Sequence, residues 1–171
     1  MIFDIGCGLD PKGYVNLDIL SIRYLKSTYT IFKNIKNFII GDCHSIPIRD
    51  NIFSVVYLSH VLEHLPRPDL CLNEIKRVGF NKVIIRVPNN PVNYEWKFHL
   101  FSWSKSSLEN YLKLYFDKVI AYLYIGQKCE LEGSHLIQIT NRLGIFGKFL
   151  LRMFLWVCKN EVIAICYIGD N

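Results

Sequence analysis

Phe3-Asp4-Ile5-Gly6-Cys7-Gly8 and, shortly after it, Asn16-Leu17-Asp18 are the stretches on which the fold turns. An apolar run carrying one acid leads into two glycines one residue apart, as a buried strand delivers its chain to a ligand. Glycine has no Cβ, so the backbone can turn sharply there and press against a polar group. Open parallel sheets bind ligands beyond the carboxyl ends of their strands, which is where Gly6 to Gly8 are expected. Asp18 ends the next apolar run, Tyr14 to Leu17, so its carboxylate is expected at the same edge, where it can take both hydroxyls of a ribose. A nicotinamide dinucleotide motif fails here twice: no third glycine follows, and the acid comes sooner than the usual spacing of about 20 residues.

Working outward, Leu20 to Ile35 has apolar residues at mixed three- and four-residue steps, a helix pattern. Asn37 to Asp42 reads as a strand ending in an acid, and Pro47 with Arg49-Asp50-Asn51 reads as a loop. Phe53 to Leu58 is a continuous apolar run suited to a strand buried on both faces. Asp69 is expected to cap a helix reaching about Val78, with Leu70, Leu72, Ile75 and Val78 inward. Lys82 to Val87 is a strand stopped by Pro88. After an irregular link over 89–103, Ser104 or Ser106 caps a helix ending near Tyr115. Lys118 to Ile125 is a strand, with further candidates at Leu136 to Thr140 and Glu161 to Ile168. Strands alternating with helices imply a parallel sheet flanked on both sides. One domain is expected over 1–171, with its core over about 1–125 and an apolar helix and final strand over about 136–171.

The chain has 171 residues, 51% of them hydrophobic and 20% charged, enough to bury a substantial core. The net charge of +5 and pI near 8.9 are mild. Lys and Arg form no long run, so no nucleic-acid partner is expected. The cysteines at positions 7, 43, 71, 129, 158 and 166 form no C-x-x-C pair. Their spacing suits reduced thiols in the cytoplasm better than a disulfide framework or zinc knuckle. No leader pattern opens the chain, and no long uncharged apolar window marks a spanning helix.

D-I-G-C-G (4–8), N-L-D-I (16–19), I-I-G-D-C-H (39–44) and V-V-Y-L-S-H-V-L-E-H-L (55–65) resemble, in this order, the class I S-adenosylmethionine-dependent methyltransferases. They are closest to the type 11 branch of small-molecule and lipid methylators, and the likeness covers roughly residues 2 to 120. It implies a Rossmann-like α/β domain with a mostly parallel sheet. Leu9 to Asn16, with Pro11 and Gly13, leaves no room for the helix usual between the first two strands of that family, so a loop is expected there. The chain also begins almost on its first strand, without the N-terminal helices such relatives often carry. The resemblance implies S-adenosylmethionine as cofactor. Asp4 would orient the loop and the methionine amino group, and Gly6, Cys7 and Gly8 would offer backbone to the methionine portion. Asp18 would accept from the ribose, Asp42 from the adenine amino group, and Cys43 would offer its backbone N–H to a ring nitrogen. Ser59 and His60 would lie under the methionine moiety. Each bond to a carboxylate is charge-assisted and worth about 1.5 to 3 kcal/mol.

The acceptor is expected to be a small or lipid-like molecule methylated on oxygen or carbon. Enzymes that methylate exocyclic amines carry an Asn/Asp-Pro-Pro-aromatic turn after the fourth strand, where this chain has Ser59-His60-Val61. An oxygen or carbon acceptor needs a base, and His60, His64 and His99 are the candidates because an imidazole titrates near neutral pH. Each has the plainer alternative of a structural hydrogen bond. His60-Val61-Leu62-Glu63-His64 also has the spacing of the inverted zinc-protease signature, with two histidines one helical turn apart. Pro66 and Pro68 leave too short a turn for that helix, so no metal is expected and a zinc hydrolase through His60 and His64 is the weaker reading. A domain that binds the cofactor without turnover, paired with a fuller homologue, is the other alternative. Ile145 to Cys158 is apolar on nearly every side: a buried helix, a homodimer surface, or a face meeting a membrane or apolar acceptor.

Overall fold

The computed structural model describes residues 1–8, 11–19, 36–78, 81–89, 99–125 and 160–169. β1 (Ile2–Ile5) sits between β2 (Val15–Asp18) and β4 (Val55–Ser59) and is parallel to both. β3 (Phe38–Ile40) extends the sheet beyond β2, and β5 (Lys82–Pro88) extends it beyond β4, also in parallel. β7 (Asn160–Tyr167) then inserts antiparallel between β5 and the edge strand β6 (Lys118–Ile125). Among the described residues the sheet order is β3-β2-β1-β4-β5-β7-β6, seven strands of which only β7 runs backwards.

Every expected strand that falls on described residues is present. The fully buried side chains of Phe3, Ile5, Val56, Leu58, Val83, Ile85 and Val87 form the apolar centre on neighbouring strands. β4 and β5 alternate buried with half-buried positions rather than burying every residue, so the expectation of two equally covered faces for β4 holds only in part. Phe53, just before β4, stacks on Phe3 with ring centroids 4.8 Å apart. β5 runs through Pro88, one residue past the expected stop. Proline is tolerated at the end of a strand, where its missing N–H breaks no internal ladder.

α1 (Pro68–Arg77) differs from its expectation at two points. Asp69 is not its cap: the cap position is Arg67, with no side-chain cap bond, and the Arg67 guanidinium instead holds Asp69 through two hydrogen bonds of 2.9 and 2.7 Å. Leu70 is 39% exposed, and Cys71 is buried in its stead with Leu72, Ile75 and Val78. Starting at Pro68 puts Leu70 on the solvent side of the 3.6-residue period. α2 (Lys105–Leu112) begins as expected at Ser104, whose side chain and that of Ser107 cap each other's backbone N–H. It ends at Leu112, short of Tyr115, and packs against β6 and β7. In the β1–β2 connection no helix occurs among the described residues, in line with the expected loop. The expectations for 20–35, 136–140 and 145–158 lie outside the described residues. No helix among the described residues is long and apolar enough to cross a membrane.

Candidate functional site

The crevice is built by the carboxyl ends of β1, β2 and β4. Gly6, directly after β1, takes φ +68°, and its N–H donates to the Leu17 carbonyl at 2.8 Å, drawing the turn against β2. A Cβ added there would lie 2.3 Å from Cγ2 of Val61, so the residue must be glycine for backbone and for space. Gly8 also has positive φ, but a Cβ there would meet open space. Its N–H donates to Asp18 Oδ2 at 2.7 Å, which pins the turn to the tip of β2. Asp4, buried in β1, accepts the Lys12 N–H through Oδ2 at 2.7 Å and holds the far side of the same loop. Gly13 crosses so close to β1 that a Cβ would lie 2.7 Å from the Asp4 nitrogen.

Two lobes open from this turn and share Gly6. One, of about 390 Å³, is lined by Asp4, Cys7, Gly8, Lys12, Tyr57, Ser59 and Arg86. The other, of about 480 Å³, is lined by Asp18, Ile19, Asp42, Cys43, His44, His60, Val61, His64, Leu65 and Pro66. Asp4, Asp18 and Asp42, from three consecutive strand ends, thus converge on one crevice. Among the described residues Asp18 engages only Oδ2 and Asp42 only Oδ1, which accepts the His44 N–H at 2.9 Å and meets its Nδ1 at 2.6 Å. Those His44 bonds, the backbone one foremost, hold the Asp42 carboxyl below its ordinary range. Burial, then Asp18 and Asp4, pushes the Cys7 thiol up to about 12, so it packs rather than reacts.

The three expected bases separate. His60, just past β4, sits at φ +56°, a conformation costing a non-glycine residue about 1–2 kcal/mol. Its Nε2 lies 3.3 Å from Glu161 Oε1 and its Nδ1 3.4 Å from Glu63 Oε1. These carboxylates, Glu161 first, raise its pKa to about 9. His60 is therefore protonated at neutral pH and fills a donor's role, not a base's. His64 lines the crevice. His99 lines neither lobe; it meets His64 edge-on, with ring centroids 4.7 Å apart, and burial followed by His64 lowers its pKa. The single turn that follows, Leu62–His64, is a 3₁₀ turn, so no α-helix brings His60 and His64 onto one face as the zinc reading required.

Sequence reading missed Lys12, Tyr57, Arg86 and Glu161. Arg86 donates to both Glu161 through Nε at 3.0 Å and Tyr57 through Nη1 at 3.2 Å, and its second terminal nitrogen also bonds Glu161. The bond from His60, then those from Arg86, depress the Glu161 carboxyl to about 2. A lone arginine inside the apolar run Val83 to Val87 was the available signal.

The glycine turn and the converging acids stand beyond the carboxyl ends of the parallel strands, where open α/β sheets bind their ligands. Residues 3–81, a little under half of the chain, match the family described as "Methyltransferase domain", and the sheet is that of the Rossmann-like methyltransferase fold. The chain's fold is similar to that of a Haloferax volcanii methyltransferase solved in complex with a methyltransferase activator (13% identity, TM-score 0.69, covering 99% of this chain and 82% of that one). It is also similar to a SAM-dependent methyltransferase from Archaeoglobus fulgidus (18% identity, TM-score 0.63, 96% and 85%). A third similar structure is a methyltransferase from Bacillus halodurans (14% identity, TM-score 0.59, 99% and 92%). No curated protein matches the sequence.

Proposed function

We propose that the two-lobed crevice holds S-adenosylmethionine and that the methyl group passes to an oxygen or carbon of a small or lipid-like acceptor. Asp18 takes the ribose hydroxyls through its remaining oxygen. Asp42 takes the adenine amino group, and the Cys43 N–H serves a ring nitrogen. Gly6, Cys7 and Gly8 offer backbone to the methionine portion, beside Asp4 and Ser59. The carrying observation is the convergence of Asp4, Asp18 and Asp42 on lobes joined at a glycine turn that a Cβ would block. When bound, the sulfonium supplies an already activated methyl carbon. The chain's own contribution is then alignment, which alone can lower a barrier by roughly 7–11 kcal/mol. Of the three candidate bases, His60 and His64 line the crevice, and His60 is the one paired with two carboxylates. The Ser59-His60-Val61 turn lacks the proline-aromatic element used on exocyclic amines, which supports an oxygen or carbon acceptor.

Calorimetry with S-adenosylhomocysteine tests the first half of this reading: one site per chain is expected, and no binding to folded protein would end it. Incubating labelled donor with protein and fractionated extract tests the second half. Label in a base-stable, non-amine product is expected, and label found only on amines would overturn the acceptor class.

A further inference from the structure

Glu63 is the one buried carboxylate among the described residues with neither oxygen hydrogen-bonded. It is only 1% exposed. Its polar contact is an ion pair with His60, whose Nδ1 lies 3.4 Å from Oε1. That one long ion pair, with no hydrogen bond beside it, leaves a buried carboxylate poorly compensated. Side-chain donor atoms of Glu63, His64 and His99 lie within 4.8 Å of one another. We propose that Glu63, His64 and His99 bind one divalent transition-metal ion, with zinc the best match to their two imidazoles and one carboxylate.

The donor set is that of zinc sites that keep a fourth position open. Around such an ion, at about 2.0–2.2 Å per bond, ligand atoms stand about 3.4 Å apart. The present spacing, 4.8 Å at most, therefore needs to close by no more than about 1.4 Å, within reach of side-chain rotations of His64, which is exposed, and His99, which is half-buried. The third ligand is delivered by the backbone. The N–H groups of Leu100 and Phe101 donate to the Glu63 carbonyl at 2.8 and 3.1 Å, clamping the segment that carries His99 against the turn that carries the other two. His64 also lines the crevice, so an open position on the ion is reachable from it. The other group of this kind among the described residues, Asp42, Cys43 and His44, is already engaged internally by the Asp42–His44 hydrogen bonds. This site is not the one suggested by the H-x-x-E-H spacing, since His60 takes no part as a ligand. The nitrogen of His64 that holds the ion does not accept a proton, so its place among the candidate bases describes the metal-free protein.

The test uses untagged full-length chain, stripped with chelator and titrated with Zn²⁺ against a chromophoric chelator, with Co²⁺ as a spectroscopic probe. One equivalent of Zn²⁺ and a visible Co²⁺ spectrum of tetrahedral type are expected. His64→Ala and His99→Ala should each weaken binding by more than about 100-fold, since losing even outer-shell support costs 10–100-fold. His44→Ala should bind as wild type. Because His64 is exposed, its variant keeps the test decisive if His99→Ala fails to fold. No stoichiometric binding by the folded wild type, wild-type affinity in His64→Ala, or loss of binding in His44→Ala would each overturn the site. S-adenosylhomocysteine binding, measured on the same metal-free samples, reports on the methyl-transfer reading separately.

Discussion

Replacing Gly6 with alanine asks two things of the fold at once, and their sizes can be worked separately. At φ +68° an L-residue costs about 1–2 kcal/mol. The new methyl would also lie 2.3 Å from Val61 Cγ2, an overlap that overpacking studies value at about 1–3 kcal/mol. Gly6→Ala should therefore lose about 2–5 kcal/mol, which for a chain of this size lowers the melting temperature by roughly 4–20 °C. Val61→Ala removes the obstruction but not the strain. In a double-mutant cycle, Gly6→Ala with Val61→Ala should be less destabilised than the sum of the singles by about 1–3 kcal/mol. Urea unfolding of the four proteins measures each corner. Because Val61 also lines the larger lobe, Gly6→Ala should weaken S-adenosylhomocysteine binding as well. Additive singles, or a Gly6→Ala protein that melts with wild type, would mean that Val61 does not close over the turn.

Asp18→Asn keeps an acceptor for the Gly8 N–H but loses the charge, so S-adenosylhomocysteine affinity should fall roughly tenfold with little change in melting; unchanged affinity would remove Asp18 from the ribose. Arg77 donates to Glu74, Asp50 and the carbonyls of Ile46 and Ile48, stitching the loop after Asp42 to α1. Arg77→Ala should cost about 1–3 kcal/mol and raise amide exchange over 42–52; protection equal to wild type would refute that. The Glu161 carboxyl sits near 2 instead of 4.5, so the folded protein binds fewer protons there than the unfolded chain. Its stabilisation is complete above pH 4.5 and is lost as pH falls toward 2. Glu161→Gln should flatten the acid limb of the stability profile across that window, and an unaltered limb would sink the assignment.

What could be read in advance divides along a physical line. β1, β2, β4 and β5 were legible because a buried strand announces itself in a handful of consecutive residues, and each ends in a turn or an acid. Ser104 was legible as a cap for the same local reason. Asp69 misled because a residue suited to capping can equally sit inside the first turn, once Pro68 starts the helix one position earlier. Arg86 and Glu161, 75 residues apart, follow no local pattern; only the placement of β7 beside β5 makes them neighbours. Glu63 was hidden inside a motif whose spacing drew attention to His60, though its burial is the more telling feature.

The reversed strand explains why the crevice has a charged wall on that side. In the register of β5 with β7, Pro88 faces Glu161 while Lys82 faces Tyr167. Since β7 runs antiparallel, its first residues lie at the carboxyl edge of the parallel strands. Were it parallel, Tyr167 would stand there and Glu161 would be carried to the opposite edge. Reversal thus brings a carboxylate 101 residues distant in sequence to within 3.3 Å of His60. The local chain around β4 supplies the histidine in a strained conformation, and Glu161 together with Glu63 supplies the charge that holds it protonated. Arg86, on β5, completes the set by bonding both Glu161 and Tyr57, so the lining of the smaller lobe is tied to the reversed strand. The glycine turn at β1 makes room for a ligand, and the antiparallel insertion of β7 decides which charges meet beside it.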